Sequence, residues 1–212
     1  MLVISNHEQG SPEWFVDRLG KATGSNANAI IAKGKTKGSE AVTRRNYRFQ
    51  LALERITGQP TVEMYKNSHM DRGNELERFA RMTHEIITGE IVEEAGFCYQ
   101  NGTMYGCSVD GFIQGREGIA EYKCPMSAIH YSYIEDNKVP DAYKGQVLHN
   151  LLTTGTKFCE FVSYCETMPD KLKTFIYRFE PTQAELDEYQ EELNKFLVDV
   201  DLLTQEIQLK AA

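Results

Sequence analysis

No CxxC pair occurs among the five cysteines, Cys98, Cys107, Cys124, Cys159 and Cys165, and their number is odd. That argues against a disulfide framework and a structural zinc site, and for a reducing compartment. Cys159 and Cys165 read as small core residues of a strand. The histidines at 7, 69, 84, 130 and 149 also lack metal-ligand spacing and read as structural. No apolar run approaches the 18 or so residues that a membrane-spanning helix needs. The opening MLVISNHEQG has neither a basic nor an apolar signal region, so no signal peptide is expected. What remains is an ordinary globular composition: 212 residues, 41% hydrophobic and 25% charged. That length supports one large domain or two small ones, with a full hydrophobic core.

The net charge of −8 taken whole argues against a nucleic-acid partner. Its distribution does not. Between Arg18 and Arg55 nine lysines and arginines face two acids, while from Glu180 onward nine acids face two lysines. A local basic segment can hold a phosphate backbone on an acidic molecule. Solvated helix faces are the plain alternative.

Turn and cap residues divide the chain. Ser11, Pro12 and Gly20 predict a short helix over 11–18. A second short helix is expected over 24–32, a basic loop over 33–39, and longer helices over 39–57 and 70–88. Residues 91–99, 104–113 and 118–124 read as a three-stranded antiparallel meander, with turns at Asn101-Gly102 and Gln114–Glu117. Helices over 126–137 and 140–154, strands over 157–165 and 173–180, and an amphipathic helix from 182 to about 207 follow. The order predicts one α/β domain around a central mixed sheet.

Chemistry concentrates at Ser108-Val109-Asp110-Gly111 and Glu121-Tyr122-Lys123-Cys124-Pro125. If the turn at 114–117 closes a hairpin, Ile113 faces Gly118, Asp110 faces Glu121 and Ser108 faces Lys123. Residues two apart share a face, so two carboxylates and a lysine cluster. Like charges set directly opposite are destabilising, and a divalent cation between them resolves the conflict. Oxygen-only ligands suit Mg²⁺ or Mn²⁺. A solvent-facing carboxylate pair with a lysine ion pair is the plain alternative.

The spacing D-x10-E-x-K resembles the PD-(D/E)xK nuclease superfamily. Trp14-x3-Arg18-Leu19-Gly20-x2-Thr23-x-Ser25, Gly73-x3-Glu77-x2-Ala80-Arg81, and Gln146-Val147 flank it. Their order and spacing are similar to the lambda-exonuclease-like alkaline exonucleases of viruses and prophages, over roughly residues 11–165.

The resemblance implies a restriction-endonuclease-like core within a single nuclease domain over 1–212. Residues 1–60 would be its basic, helical, DNA-contacting part, 91–180 its sheet-containing catalytic core, and 181–207 an acidic C-terminal helix. It implies Asp110, Glu121 and the Tyr122 backbone carbonyl as metal ligands, with Glu77 holding a water on the metal or a second metal. Lys123 would position or activate the attacking water. Arg18, Ser25, Ser108 and Gln146 would form a 5′-phosphate pocket, and Lys35 would touch the duplex. Each has a plain alternative: a cap for Ser25, an ion pair with Arg81 for Glu77, strand filler for Ser108, and a surface role for Arg18 and Gln146. Trp14 reads as packing.

The implied activity is Mg²⁺-dependent 5′-to-3′ degradation of one strand of linear duplex DNA. It releases 5′-mononucleotides and leaves 3′ overhangs, with two ions and with Mn²⁺ able to substitute. A homotrimeric ring, a single-strand-annealing partner protein, no membrane and the cytoplasm of a bacterial host complete the expectation. A PD-(D/E)xK endonuclease and a catalytically dead DNA-end-binding module remain as alternatives.

Overall fold

The computed structural model describes residues 1–36, 38–61 and 68–211, the side chains of 68–71 and 74 excepted. Lys37 of the basic segment and the His69 side chain therefore lie outside the described residues.

The fold opens with β1 (Leu2–Ile4), α1 (Pro12–Arg18), β2 (Ala22–Thr23), a single 3-10 turn at Gly24–Asn26 and α2 (Ala27–Ile31). The helices α3 (Val42–Thr57) and α4 (Ser68–Thr88) follow. Next come β3 (Phe97–Gln100), β4 (Tyr105–Ser108), β5 (Gly111–Ile113) and β6 (Gly118–Lys123). The chain closes with α5 (Ser127–Asp136), α6 (Asp141–Thr154), β7 (Phe158–Tyr164), β8 (Thr174–Phe179) and α7 (Gln183–Ala211). The local signals act as expected at several ends. The Ser11 hydroxyl caps α1 by accepting the Trp14 N–H at 3.2 Å. Gly58 and Gly155 close α3 and α6 in left-handed conformations, φ 64° and 71°. Ser39 does not cap α3: its hydroxyl donates to the Thr36 carbonyl at 2.7 Å, inside the preceding loop.

The mixed α/β class with helix-flanked sheets is as expected, but the strands divide between two four-stranded sheets. One has the order β1-β3-β4-β2, the other β5-β6-β7-β8. In the first, β2 runs parallel to β4 and the other pairs are antiparallel. In the second, only β6 and β7 are parallel. The predicted strand over 104–113 is therefore broken at Val109 and Asp110, where the chain crosses from one sheet to the other. The hairpin register is found at Gly111–Ala120, Phe112–Ile119 and Ile113–Gly118. Beyond it, Asp110 Oδ2 accepts the Tyr122 N–H at 2.6 Å, so a side chain replaces the next rung of the ladder. Ser108 consequently pairs with Phe97 and not with Lys123.

Helix α6 packs against both sheets, burying Val147 and Leu151 beside Cys107, Phe112 and Phe161. A second core lies under α7, whose Tyr189, Leu193, Phe196 and Val200 meet α2, α3 and α6. The Phe196 ring stacks on Tyr47 at 5.4 Å between centroids. Around this contact the acidic and basic segments of the sequence neutralise each other. Arg44 pairs with Asp199 at 2.9 Å and Arg55 with Asp201 at 2.5 Å. Arg44 and Arg48 also share Glu40. No described helix is long and apolar enough to cross a membrane.

Candidate active site

Strand β6 presents Glu121 and Lys123 on one face, the side-chain alternation of a strand. Glu121 is 1% exposed. Its Oε1 accepts from Lys123 Nζ and from Gln146 Nε2, both at 2.5 Å, and its Oε2 accepts from Asn150 Nδ2 at 3.1 Å. Gln146 and Asn150 lie one turn apart on α6, so the helix delivers two amides to one carboxylate. Asn150 is absent from the sequence reading, although its i, i+4 relation to Gln146 was visible. Asn150 Oδ1 is buried and has no hydrogen-bond partner among the described residues. It faces Gly24, where a Cβ would overlap it. The turn carrying Ser25 thus rests directly on the residue that holds Glu121.

Asp110 enters from the crossover between the sheets, and Glu77 from α4. Burial drives the Asp110 carboxyl well above its usual range, and the Glu121 and Glu77 charges add to this against Lys123. Glu77 is also raised, by burial first, while Lys123 and Arg81 oppose the shift. Burial would pull Lys123 down, but Glu121 and Asp110 outweigh it and push the ammonium up. Three carboxylates therefore share one lysine. Arg81 is engaged elsewhere, on Glu94, so it does not form the i, i+4 pair with Glu77. A cleft of about 950 Å³ opens onto Glu77 and Asp110, with Arg78, Arg81, Arg116 and residues 4–9 in its walls.

The proposed phosphate pocket is only partly assembled. Ser108 Oγ accepts from Trp14 Nε1 at 3.1 Å and from Arg18 Nη1 at 3.2 Å. The Arg18 guanidinium lies 4.1 Å from the Trp14 ring centroid, and burial lowers its pKa. Trp14 is accordingly a buried support for Arg18. The Ser25 hydroxyl is exposed and sits 3.3 Å from Thr23 Oγ1, which in turn meets Tyr47 Oη at 3.3 Å. Gln146 bonds Glu121. Lys35 stands exposed in the loop between α2 and α3.

The donor chemistry suits a hard divalent cation: oxygen ligands only, with more negative than positive charge. Among the described residues no three His, Cys, Asp or Glu side chains converge as a closed ligand cage. The Glu121 oxygens are taken by Lys123, Gln146 and Asn150 instead. His130 and His149 stay out of this set. His130 bonds Ser163 and the Leu172 carbonyl, and His149 bonds Tyr189 and the Gly106 carbonyl.

Residues 13–157 match the YqaJ-like viral recombinase domain. The chain is 34% identical to an alkaline exonuclease, LHK-Exo, from Laribacter hongkongensis. The structural match has a TM-score of 0.84 and covers 95% of this chain and 98% of that one. The same enzyme in complex with dAMP matches at 0.85. A phage-related exonuclease from Haemophilus somnus 129PT, 15% identical, shares the fold at a TM-score of 0.67, over 88% of this chain and 96% of that one. The protein YqaJ of Bacillus subtilis is 28% identical over 159 residues, 74% of this chain, and the chain spans 46% of its length. The mixed-sheet fold is thus shared with LHK-Exo, and this chain belongs to the YqaJ-like viral recombinase family.

Proposed function

We propose that the chain is a Mg²⁺-dependent exonuclease that degrades one strand of linear duplex DNA from its 5′ end. It releases 5′-mononucleotides and leaves 3′ overhangs. The observation that carries this reading is the surplus of carboxylate, buried Glu121 with half-buried Asp110 and Glu77 around the single Lys123, at the edge of an open cleft. Its likeness to LHK-Exo supports the nuclease class.

In this reading Asp110, Glu121 and the Tyr122 carbonyl would hold Mg²⁺, or Mn²⁺ in its place. Glu77 would hold an associated water or a second ion. When bound, the divalent ion supplies Lewis acidity for the scissile phosphate and for the leaving 3′ oxygen. Lys123 orients the attacking water and offsets charge developing on the phosphate. The Glu121 carboxylate is kept in place by the amides of Gln146 and Asn150. Arg18, braced on Trp14 and Ser108, receives the terminal 5′-phosphate with its planar donors, and Ser25 completes the hydrogen bonds with Gln146 at the boundary. Only an end seated there sets the first phosphodiester over the carboxylates, which gives polarity. Lys35 touches the duplex backbone farther out. The same reading includes a homotrimeric ring, a single-strand-annealing partner protein and the cytoplasm of a bacterial host.

Linear duplex DNA, 5′-phosphorylated and 5′-labelled on one strand, provides the test, with a circular control and Lys123→Ala beside it. Labelled mononucleotide should appear rapidly from the linear DNA alone and not with the variant. Cutting of the circle would indicate an endonuclease. No cleavage with any divalent ion would leave a DNA-end-binding module.

A further inference from the structure

The face of β6 turned away from Glu121 and Lys123 carries a second buried polar system. Tyr122 Oη meets His84 Nδ1 at 2.9 Å, and His84 Nε2 meets Glu160 Oε2 at 2.6 Å. Arg178 then donates to Glu160 Oε1 through Nε at 3.0 Å and Nη2 at 2.7 Å. A carboxylate only accepts, so Nε2–H is the donor to Glu160, and Nδ1 is left for the Tyr122 hydroxyl. The four residues come from α4, β6, β7 and β8. Strand register explains their meeting: Glu160 is the partner of Ala120 on β6 and of Arg178 on β8, so it shares a face with Tyr122.

This system touches the cleavage centre at two places. The backbone of Tyr122 lies between Glu121 and Lys123, and its N–H is the donor that holds Asp110. His84 follows Glu77 by seven residues, two turns along the same side of α4. Between them Ala80 makes the apolar contact of the helix with Ala120, Tyr122 and Val162. Ala80 is a small side chain and apolar contact is not directional, so this contact by itself does little to fix the height of the helix. The opposite side of α4 leaves Phe79, Met82 and Ile86 exposed. Directional bonds are what set its register. Arg72 Nη1 donates to the Cys124 carbonyl at 3.0 Å near one end, and His84 is gripped near the other. Glu77 lies between these anchors.

We propose that His84, Glu160 and Arg178 are positioning residues: they lock α4 against β6 and so set Glu77 in height relative to Asp110, Glu121 and Lys123. This rests on the reading of those four as the cleavage centre. The relay touches no DNA in this view and acts only through Tyr122 and the helix.

The test compares wild type, His84→Leu and His84→Gln as full chains. Gln keeps one N–H donor and one acceptor at the site, and Leu keeps neither. Three quantities are read: kcat and KM on 5′-phosphorylated linear duplex, binding of Mn²⁺ alone by calorimetry without DNA, and the thermal unfolding midpoint. His84→Leu should lower kcat and weaken Mn²⁺ binding by about 10-fold or more, the scale seen when partners supporting metal ligands are removed. KM for DNA ends should move less than about twofold, because phosphate-holding residues are untouched. His84→Gln should restore most of both losses. Tyr122→Phe, which removes one hydroxyl and keeps ring and backbone, supplies the same comparison if the leucine variant does not fold. An unchanged kcat in these variants, or equal losses for Leu and Gln, would overturn the positioning role while the wild type still cleaves. A wild type that neither cleaves nor binds Mn²⁺ would instead remove the cleavage centre on which the proposal rests.

Discussion

Glu121 and Glu160 stand on adjacent strands of one sheet, on opposite faces, and are 1% and 4% exposed. Burial alone would push the Glu160 carboxyl up. At Glu160 the burial effect is outweighed by hydrogen bonds from His84 and Arg178 and by the Arg178 charge, and its pKa falls below the ordinary range. One acid meets one arginine and one imidazole there, and nothing is in excess. At Glu121 the donors are just as numerous, but Asp110 and Glu77 draw on the same lysine, and Asp110 is driven well up. The lesson lies in the excess. A buried acid that only holds a fold together comes with its own cation. A group of acids short of a cation has been kept at a cost to stability, and sites that perturb several titratable groups at once are candidates for function. The two faces of β6 should therefore answer mutation in different ways.

Glu121→Gln gives the largest contrast. It preserves shape and removes the charge on which Lys123, Gln146 and Asn150 converge. Cleavage should fall by on the order of a thousandfold, the scale of losing one preorganised electrostatic element. Residual activity within tenfold of wild type would mean that Glu121 is merely buried, like Glu160.

The next effect tests how far the negative excess reaches. His149 lies beside Asn150 on α6, yet it is not recruited as a cation. Burial lowers its pKa to about 4, Arg18 adds to this, and the Gly106 carbonyl opposes it. With an unfolded value near 6.5, the unfolded chain binds the proton more tightly, so stability falls as pH drops from about 6.5 to about 4 and levels below that. The full loss should be about 3 kcal/mol, from 1.36 kcal/mol per unit of pKa. Denaturant unfolding of wild type and His149→Gln across this range checks it. Equal slopes in the two proteins would exclude His149 as the source.

Glu160→Gln should cost stability of about 2 kcal/mol, below the 3–5 expected for breaking a buried pair. The discount is for Arg178, which is 40% exposed and partly solvated. A midpoint unchanged in denaturant would show that Glu160 contributes nothing to folding, and the contrast with Glu121 would lose its structural half.

Part of this arrangement was legible in the sequence because it is local. Ser11, Pro12, Gly58 and Gly155 mark helix ends by their own chemistry. The turn at 114–117 sets the register that carries Asp110 toward Glu121. What stayed hidden depends on elements far apart in the chain. The break at Val109–Asp110 could not be read, because a strand propensity over 104–113 does not reveal that an aspartate side chain will take the Tyr122 amide. Strands of three and two residues, β1 and β2, carry no periodicity and form only because β3 and β4 are there to pair with. The His84 relay joins four elements with no common spacing. Arg44 and Arg55 looked free for DNA until α7 laid Asp199 and Asp201 against them. Composition reports charge, and only the fold reports which charges are already answered.

The smallest effect has the most informative sign. Asp110→Asn keeps an oxygen to accept the Tyr122 N–H and removes one negative charge from a half-buried group held well above its usual pKa by burial and by Glu121. In a chelator at pH 7 the variant should be more stable than wild type, since burial and the neighbouring Glu121 and Glu77 charges disfavour the ionised Asp110 carboxyl. Added Mg²⁺ should reverse the order, because a ligand that binds only the folded state stabilises it by mass action and the variant has lost a ligand oxygen charge. Thermal unfolding of both proteins with and without Mg²⁺ reads all four values. A variant less stable than wild type in the chelator would place Asp110 with Glu160, as an acid whose charge the fold already compensates. A gain that Mg²⁺ does not reverse would separate the charge excess from cation binding and leave the excess to be answered by the substrate alone.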